Sequence, residues 1–425
     1  MSGARPMSGA RPASGARQAS LRESNLALVA RTVAAAAAPA YLSRADVAGA
    51  TLMTRATASR LVDELVAGGV VDELGPDELD RPAPRRGRPG TPLAPGARIA
   101  ALGLQIDAGF LAARVINLRG QVLAEWVESG DLVASPPEVA LRRLDAAGGD
   151  VLSRLPVGCR LIGARLALPG IVAVGEGLLL RAPTLGWSDL RPADVLGAGT
   201  LAGLPLTIGN EADLAAQVVA ESAPGRSGPL PDFIYLSGGI GIGGAVVRGG
   251  QVITGPHGWA GEIGHVCVDP HGPSCPCGST GCLERYAGRH TLLAAAGLGA
   301  ATPPDRLFER VAAGDQDACR AVGVAAWALG IAVASVINMF DVPTVVLGGY
   351  LGQIAGLLRA ELDPALRARV LSARWVAPTI VAAEPCSAPG ATGAAFAELA
   401  AVIADPARWI GRPAGQVVAH PAGRG

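Results

Sequence analysis

Three of the chain's seven cysteines fall within eight residues, in the order Cys275-Pro-Cys277-Gly-Ser-Thr-Gly-Cys282, and His265 stands ten residues before the first of them. Three thiolates and an imidazole form a complete donor set for tetrahedral zinc, with no position left over for water, so the metal expected here is structural. The competing reading is a redox pair in Cys275 and Cys277, although such pairs more usually have two intervening residues. An odd cysteine count crowded in this way argues against a secreted disulfide framework. Cys159, Cys267, Cys319 and Cys386 lie among apolar or small residues and read as core or incidental positions.

A chain of 425 residues has room for two or three domains, each with a sizeable core. Half of the residues are apolar and only 4% are aromatic, so those cores must be built from Ala, Val, Leu and Ile. All 36 basic residues are arginine, which excludes a Schiff-base enzyme and a Walker-type nucleotide site with its lysine. A net charge of zero argues against a chain whose whole surface grips nucleic acid, yet residues 1–98 carry 13 Arg against 9 Asp and Glu, a net of +4. No apolar run reaches a membrane span without interruption, and the start repeats Ser-Gly-Ala-Arg instead of leading into an apolar segment. A cytoplasmic chain with no membrane partner is expected.

Residues 1–18 form a Gly/Pro/Ser-rich tract that cannot bury a core and should be a disordered tail. Helical periodicity runs over 21–38, and Ser43 caps a second helix that ends at Gly49. Thr54 caps a third, with Ala58, Leu61, Val62 and Leu65 on one face and Arg55, Thr57, Ser59 and Arg60 pointing outward. A strand at Val70-Val71, a loop carrying Arg81, Arg85, Arg86 and Arg88, and a returning strand at Thr91-Pro92-Leu93 complete a winged helix-turn-helix over 19–94. Its third helix suits base edges in the major groove of double-stranded DNA, and the arginines of its wing suit phosphates or the minor groove. A three-helix protein-interaction module with a solvated basic loop is the competing reading. Beyond the Pro95-Gly96 linker, strands at 99–106, 110–118, 121–127, 161–168, 233–236, 344–347 and 379–381 alternate with helical segments, which is the pattern of an α/β domain over 97–411. Residues 412–425 read as a flexible tail.

Gly261-Glu262-Ile263-Gly264-His265, followed by the Cys-x-Cys-Gly-x-x-Gly-Cys-x-Glu run that closes at Glu284, resembles the signature of the ROK family of sugar kinases and sugar-responsive repressors. The resemblance implies an actin/hexokinase-like pair of α/β lobes, with sugar in the cleft and zinc on His265, Cys275, Cys277 and Cys282 ordering the loop 257–286. It places Glu262, His265 and Glu284 at sugar hydroxyls, Pro169-Gly170 in a sugar-side loop, and Thr184 of Ala182-Pro183-Thr184-Leu185-Gly186-Trp187 where Asn is usual. The Asn-Asp pair that supplies the kinases' base is matched by Asn210-Glu211, whose longer arm would misplace the carboxylate while still able to hold a hydroxyl.

The nucleotide side departs further. Where the kinases have Asp-x-Gly-Gly-Thr, this chain reads Gln105-Ile106-Asp107-Ala108-Gly109-Phe110, and Asp107 sets a negative charge against an approaching phosphate. The run Gly238-Gly239-Ile240-Gly241-Ile242-Gly243-Gly244 fits a dinucleotide fingerprint alone, but strand-like Ala245-Val246-Val247 follows where a helix is required. With Gly348-Gly349 and Gly390 to Gly393, it matches phosphate-side scaffold. The family branch with an N-terminal winged helix is the repressor branch. It implies a non-catalytic domain that takes a sugar or sugar-derivative effector and no nucleotide, in a homodimer or dimer of dimers on operator DNA. An ATP-dependent sugar kinase with an appended DNA-binding domain is the alternative.

Overall fold

A computed structural model describes residues 14–36, 40–75, 78 and 90–410. They divide into two units: one holds the N-terminal residues through Ala97 together with those from Ala400 onward, and the other spans Arg98–Leu399. The expected wing residues Arg81, Arg85, Arg86 and Arg88, and the tail 412–425, lie outside the described residues.

The first unit has helices α1 (Ser14–Ala35), α2 (Arg44–Thr51) and α3 (Arg55–Ala67), with strands β1 (Leu42–Ser43), β2 (Val71–Glu73) and β3 (Pro92–Pro95). The first helix begins at Ser14, so residues 14–18, expected within a tail, are helical, and Ala16, Arg17 and Gln18 are good helix formers. Ser43 and Asp46 close a reciprocal capping box on α2, and the Thr54 hydroxyl accepts the Thr57 N–H to start α3. Leu26, Val29, Val47, Leu61 and Leu65 form the buried side of this helix trio. β3 pairs antiparallel with both β1 and β2 and so lies between them. The unit also takes in the segment from Ala400 to Ile410, which the sequence pattern had assigned to the larger domain. Val402, Ile403 and Trp409 are buried, and they supply apolar area to a unit too small to build an ample core alone.

The second unit is two-lobed. In the first lobe β4 (Ile99–Asp107), β5 (Phe110–Asn117) and β6 (Val122–Ser129) form an antiparallel meander. After α4 (Pro137–Ser153), β7 (Arg160–Leu168) joins parallel on the other side of β4. A small antiparallel sheet of β8 (Ile171–Ala173), β9 (Leu178–Ala182) and β10 (Trp187–Leu190) follows, then α5 (Pro192–Leu196) and β11 (Leu206–Asn210), giving the order β11-β7-β4-β5-β6.

Helix α6 (Glu211–Ala220) and the short hairpin β12 (Glu221–Ala223) and β13 (Arg226–Ser227) lead into the second lobe. There β14 (Phe233–Gly238), β15 (Ile242–Arg248) and β16 (Gln251–Val252) repeat the meander. A long loop, α7 (Glu284–Ala287), α8 (Arg289–Ala295), α9 (Pro304–Ala312) and α10 (Gln316–Phe340) intervene before β17 (Thr344–Gly348) adds parallel to β14. Then α11 (Gly349–Gln353), α12 (Ala355–Arg369), β18 (Thr379–Ala382) and α13 (Pro389–Ala404) complete the chain. The sheet order β16-β15-β14-β17-β18 is the first lobe's order over again: three antiparallel strands and two parallel additions. Each lobe's central strand is buried along nearly all its length because both its faces are covered, and it is apolar apart from Gln105 and Asp107 of β4 and Ser237 of β14.

Helix α10 is long and apolar enough to cross a membrane by length and composition, even though Ser335 and Asn338 interrupt its apolar run. Its Val322, Leu329, Val333 and Ile337 are packed into the second lobe's core with Leu236, Leu347 and Leu358. Cys267, Cys319 and Cys386 are exposed and Cys159 is half-buried, so of the two expectations, core or incidental, the structure puts none of them in the core.

Candidate functional site

The cleft between the two lobes is where the sequence-derived site residues meet. It has a volume of about 690 Å³, counting its open mouth, and its lining includes Pro169, Gly170, Thr184, Asn210, Glu211, Glu262, His265, Glu284 and Asp107. All seven expected sugar contacts are therefore brought together.

The backbone explains how. After β7 the chain turns at Gly170 with φ +96°, and a Cβ there would lie 2.2 Å from the Arg181 carbonyl oxygen, so the loop closes only with glycine. The Asn210 side chain caps α6, its Oδ1 accepting from the Ala212 and Asp213 N–H groups while its Nδ2 donates to the Gly170 carbonyl at 3.0 Å. Asn210 thus fixes the Pro169-Gly170 loop to the helix and keeps one N–H for a ligand. On the facing lobe, Gly264 packs so tightly on β15 that a Cβ would meet the Ile242 carbonyl oxygen at 1.9 Å, which sets the short turn Ile263–His265 and holds Glu262 and His265 at the cleft.

The four candidate metal ligands converge. One donor atom each from His265, Cys275, Cys277 and Cys282 lies within 4.8 Å of every other. The Cys277 and Cys282 sulfurs are 3.7 Å apart, and His265 Nδ1 is 3.9 Å from Cys275 Sγ. A tetrahedral zinc–thiolate site has edges of about 3.8 Å for bonds of about 2.3 Å, so this donor set fits that geometry and could hold such an ion. His265 Nε2 lies 3.9 Å from Glu262 Oε2, too far for a direct hydrogen bond, and Glu284 Oε1 lies 3.1 Å from Cys275 Sγ. Both acids expected at a sugar thus lie beside the candidate metal ligands.

Burial dominates the electrostatics. The Glu262 carboxyl is pushed up by burial, with His265 pulling it down and Glu284 pushing it up. Asp213, one turn into α6, is pushed up to about 7 by burial and by the nearby Glu262 charge, and its buried Oδ1 has no hydrogen-bond partner. At the cleft floor, Glu211 is raised well above the usual carboxylate range by burial and by Asp107. Gln105 donates to Glu211 Oε1 at 2.8 Å. Asp213 and Gln105 were not read from the sequence as site residues. Gln105 is at 0% exposure within β4, and an amide buried there requires an internal partner, which the sequence does not name.

On α3, Arg55 and Arg60 are exposed, whereas Thr57 and Ser59 are half-buried. Thr57 Oγ1 is 2.9 Å from Thr54 Oγ1, and the Ser59 carbonyl accepts from Arg44 Nη1 at 3.0 Å. The helix's acids are paired: Asp63 with Arg44, and Glu64 with Arg22 and Arg60. Arg22 and Arg44, which the sequence pattern did not single out, thus offset the negative charge of the helix expected to meet DNA.

The ROK family model matches residues 111–400. A provisionally named xylose repressor from Caldicellulosiruptor sp. (strain Rt8B.4) is 28% identical over 340 residues, covering 76% of this chain and 82% of that protein. The N-acetylmannosamine kinase of Escherichia coli O157:H7 is 35% identical over 260 residues, covering 60% of this chain and 85% of the kinase. The crystal structure of a ROK family transcriptional regulator, a homolog of the E. coli MLC protein, superposes with a TM-score of 0.70 at 22% identity, covering 92% of this chain and 99% of that one. Repeated lobes, a cleft at their junction and a Cys/His cluster on its rim are thus found in a chain matched by the family model over more than half its length: it belongs to the ROK family.

Proposed function

We propose that this protein is a sugar-responsive, DNA-binding transcriptional regulator, a repressor whose kinase-like unit binds a sugar effector without phosphorylating it. The observation that carries the reading is the presence in one chain of a capped helix-turn-helix with its strands and of a cleft lined by Glu262, Glu284 and His265, whose base position is Glu211. Carboxylates accept the hydrogen bonds that a sugar's hydroxyls donate, and Asn210, Pro169 and Gly170 shape the opposite wall. Arg55 and Arg60, with Thr57 and Ser59 nearer the helix body, would meet base edges, and Arg85, Arg86 and Arg88 would meet phosphates. Zinc on His265, Cys275, Cys277 and Cys282 would hold the loop that carries Glu262 and Glu284, supplying structure and no chemistry. A homodimer on a roughly palindromic operator fits a head with one such helix per protomer.

The test is a titration of upstream DNA with the full chain, with and without ATP and a panel of monosaccharides headed by xylose and N-acetylmannosamine, alongside metal analysis. Expected are salt-sensitive DNA affinity, about fivefold or greater weakening by one sugar, one zinc per chain and no sugar-dependent ADP release. Unchanged operator affinity across the saturating panel would overturn the regulator reading. Because of the 35% identity to an N-acetylmannosamine kinase, ADP release is the outcome that would establish the alternative, an ATP-dependent sugar kinase with a DNA-binding domain.

A further inference from the structure

The cleft floor holds a three-residue cluster in which each departure from the kinase pattern accommodates the others. Gln105 is at 0% exposure on β4; its Nε2 donates to Glu211 Oε1 at 2.8 Å, and its Oε1 accepts from the Ala391 N–H at 3.0 Å in the first turn of α13. A Cβ on Gly390 would lie 2.8 Å from the Gln105 Cδ, so the amide is gripped between strand and helix. Glu211 hydrogen-bonds Asp107 from the other side. The Asp107 Oδ1 accepts the Gly109 N–H at 2.6 Å, and Oδ2 faces the glycine run, where a Cβ on Gly239 would approach to 3.3 Å.

Two half-buried carboxyls in hydrogen-bond contact share one proton, because each charge disfavours ionisation of the other. The groups around them decide where the remaining charge resides. Burial raises both acids, but Asp107 alone also has the Gly109 N–H and the Arg289 guanidinium of α8, both of which favour its anion. Glu211 faces Asp107 itself, the neutral Gln105 amide, and the phenol of Tyr235 on β14, which burial keeps un-ionised. The proton therefore belongs on Glu211.

We propose that Asp107 is the charged ligand acceptor of the cleft floor, and that Gln105 is the positioning residue that holds Glu211 beside it as a neutral acid. This rests on the sugar reading of the cleft and names a further residue for it. A neutral carboxyl whose O–H is already directed at Asp107 has no basic lone pair for a sugar proton, so Glu211 cannot serve as a general base. A hydroxyl that reaches the floor instead donates to Asp107, whose Oδ2 lies beside Gly239 in the cleft lining.

The test uses the full chain with carboxyl-13C-labelled glutamate, the Glu211 resonance being identified by its loss in Glu211→Gln. In the parent the carbon should sit at its protonated shift at pH 7, and in Asp107→Asn the same carbon should titrate at least one pH unit lower. An ionised Glu211 at pH 7 in the parent, or a titration that Asp107→Asn leaves in place, would overturn the proposal whatever the ligand. Gln105→Leu should broaden or split the Glu211 resonance, as its carboxyl loses a fixed partner; an unchanged sharp line sinks the positioning role. For the panel sugar that raises the parent's melting temperature, Asp107→Asn should lose at least ten times more affinity than Glu211→Gln, and the reverse order would overturn Asp107 as the acceptor. If no panel sugar binds the parent, the sugar reading fails, and the carboxyl titration still decides the charge assignment.

Discussion

At the scale of single residues the cleft is a place where carboxylates are held against their preference. Asp213 is the clearest case, because its buried Oδ1 lacks a partner and Glu262 repels its charge. Its folded value of about 7 lies above the usual carboxylate range, so between that range and pH 7 the folded chain keeps a proton that the unfolded chain releases. Stability from this site is therefore present at low pH and is lost as pH rises through 7. Asp213→Asn keeps the shape and removes the charge. The expected outcome is equal melting temperatures near pH 4 and a variant advantage that grows to at most about 4 kcal/mol by pH 8, or about 1.4 kcal/mol for every pH unit between the unfolded and folded titrations. Denaturant melts of both proteins across that range decide it, and parallel pH profiles would sink the argument. The candidate metal ligands were legible as a cluster in the sequence because cysteine and histidine spacing is a local signal. Asp213 and Gln105 were not, because their roles arise from Glu262 and Glu211, residues that only the tertiary fold brings near them.

At the scale of elements, the tightest packing in the cleft unit is backbone on backbone. A Cβ on Gly393 of α13 would lie 1.8 Å from the Leu214 carbonyl oxygen of α6, and one on Gly103 of β4 would lie 1.8 Å from the Ala391 carbonyl oxygen of α13. No rotamer change relieves such a contact, so the elements would have to separate. Gly393→Ala should therefore destabilise the chain by about 3 kcal/mol or more, at the upper end of overpacking costs. Gly323→Ala, inside α10 with nothing within 4 Å of its Cβ, should stabilise it by about 0.5–1 kcal/mol through helix propensity. Urea melts of the two variants would refute the packing argument if Gly393→Ala proved as benign as Gly323→Ala. The sequence disclosed that Gly390 to Gly393 mattered but assigned them to phosphate scaffold; the structure puts Gly393 at a helix crossing. Strands, caps and the helix-turn-helix were readable because their signals are periodic or local. The assignment of the segment from Ala400 to the N-terminal unit was not, since it depends on where a distant apolar patch finds a partner.

At the scale of the whole molecule, the proposed regulator must connect a sugar cleft with a DNA-binding head, and thermodynamics constrains that connection before any pathway is known. If a sugar lowers operator affinity by some factor, operator must lower sugar affinity by the same factor, because the two routes to the doubly bound state have equal free energy. A tenfold effect corresponds to about 1.4 kcal/mol of coupling and requires cleft states that differ by that much in sugar affinity. The cleft can supply such a difference, since Pro169, Gly170 and Asn210 come from one lobe and Gly241, Glu262, His265 and Glu284 from the other, so a bridging ligand senses the distance between lobes. Sugar affinity is expected to fall by equal factors whether it is measured calorimetrically with saturating operator or inferred from the sugar-dependent shift in operator affinity. Glu262→Gln should weaken sugar binding and so raise the sugar concentration needed for release, while operator affinity without sugar stays within about twofold. Coupling that vanished in one direction and persisted in the other would mean that the sugar acts through bulk effects on the DNA complex, and that the cleft is not the effector site.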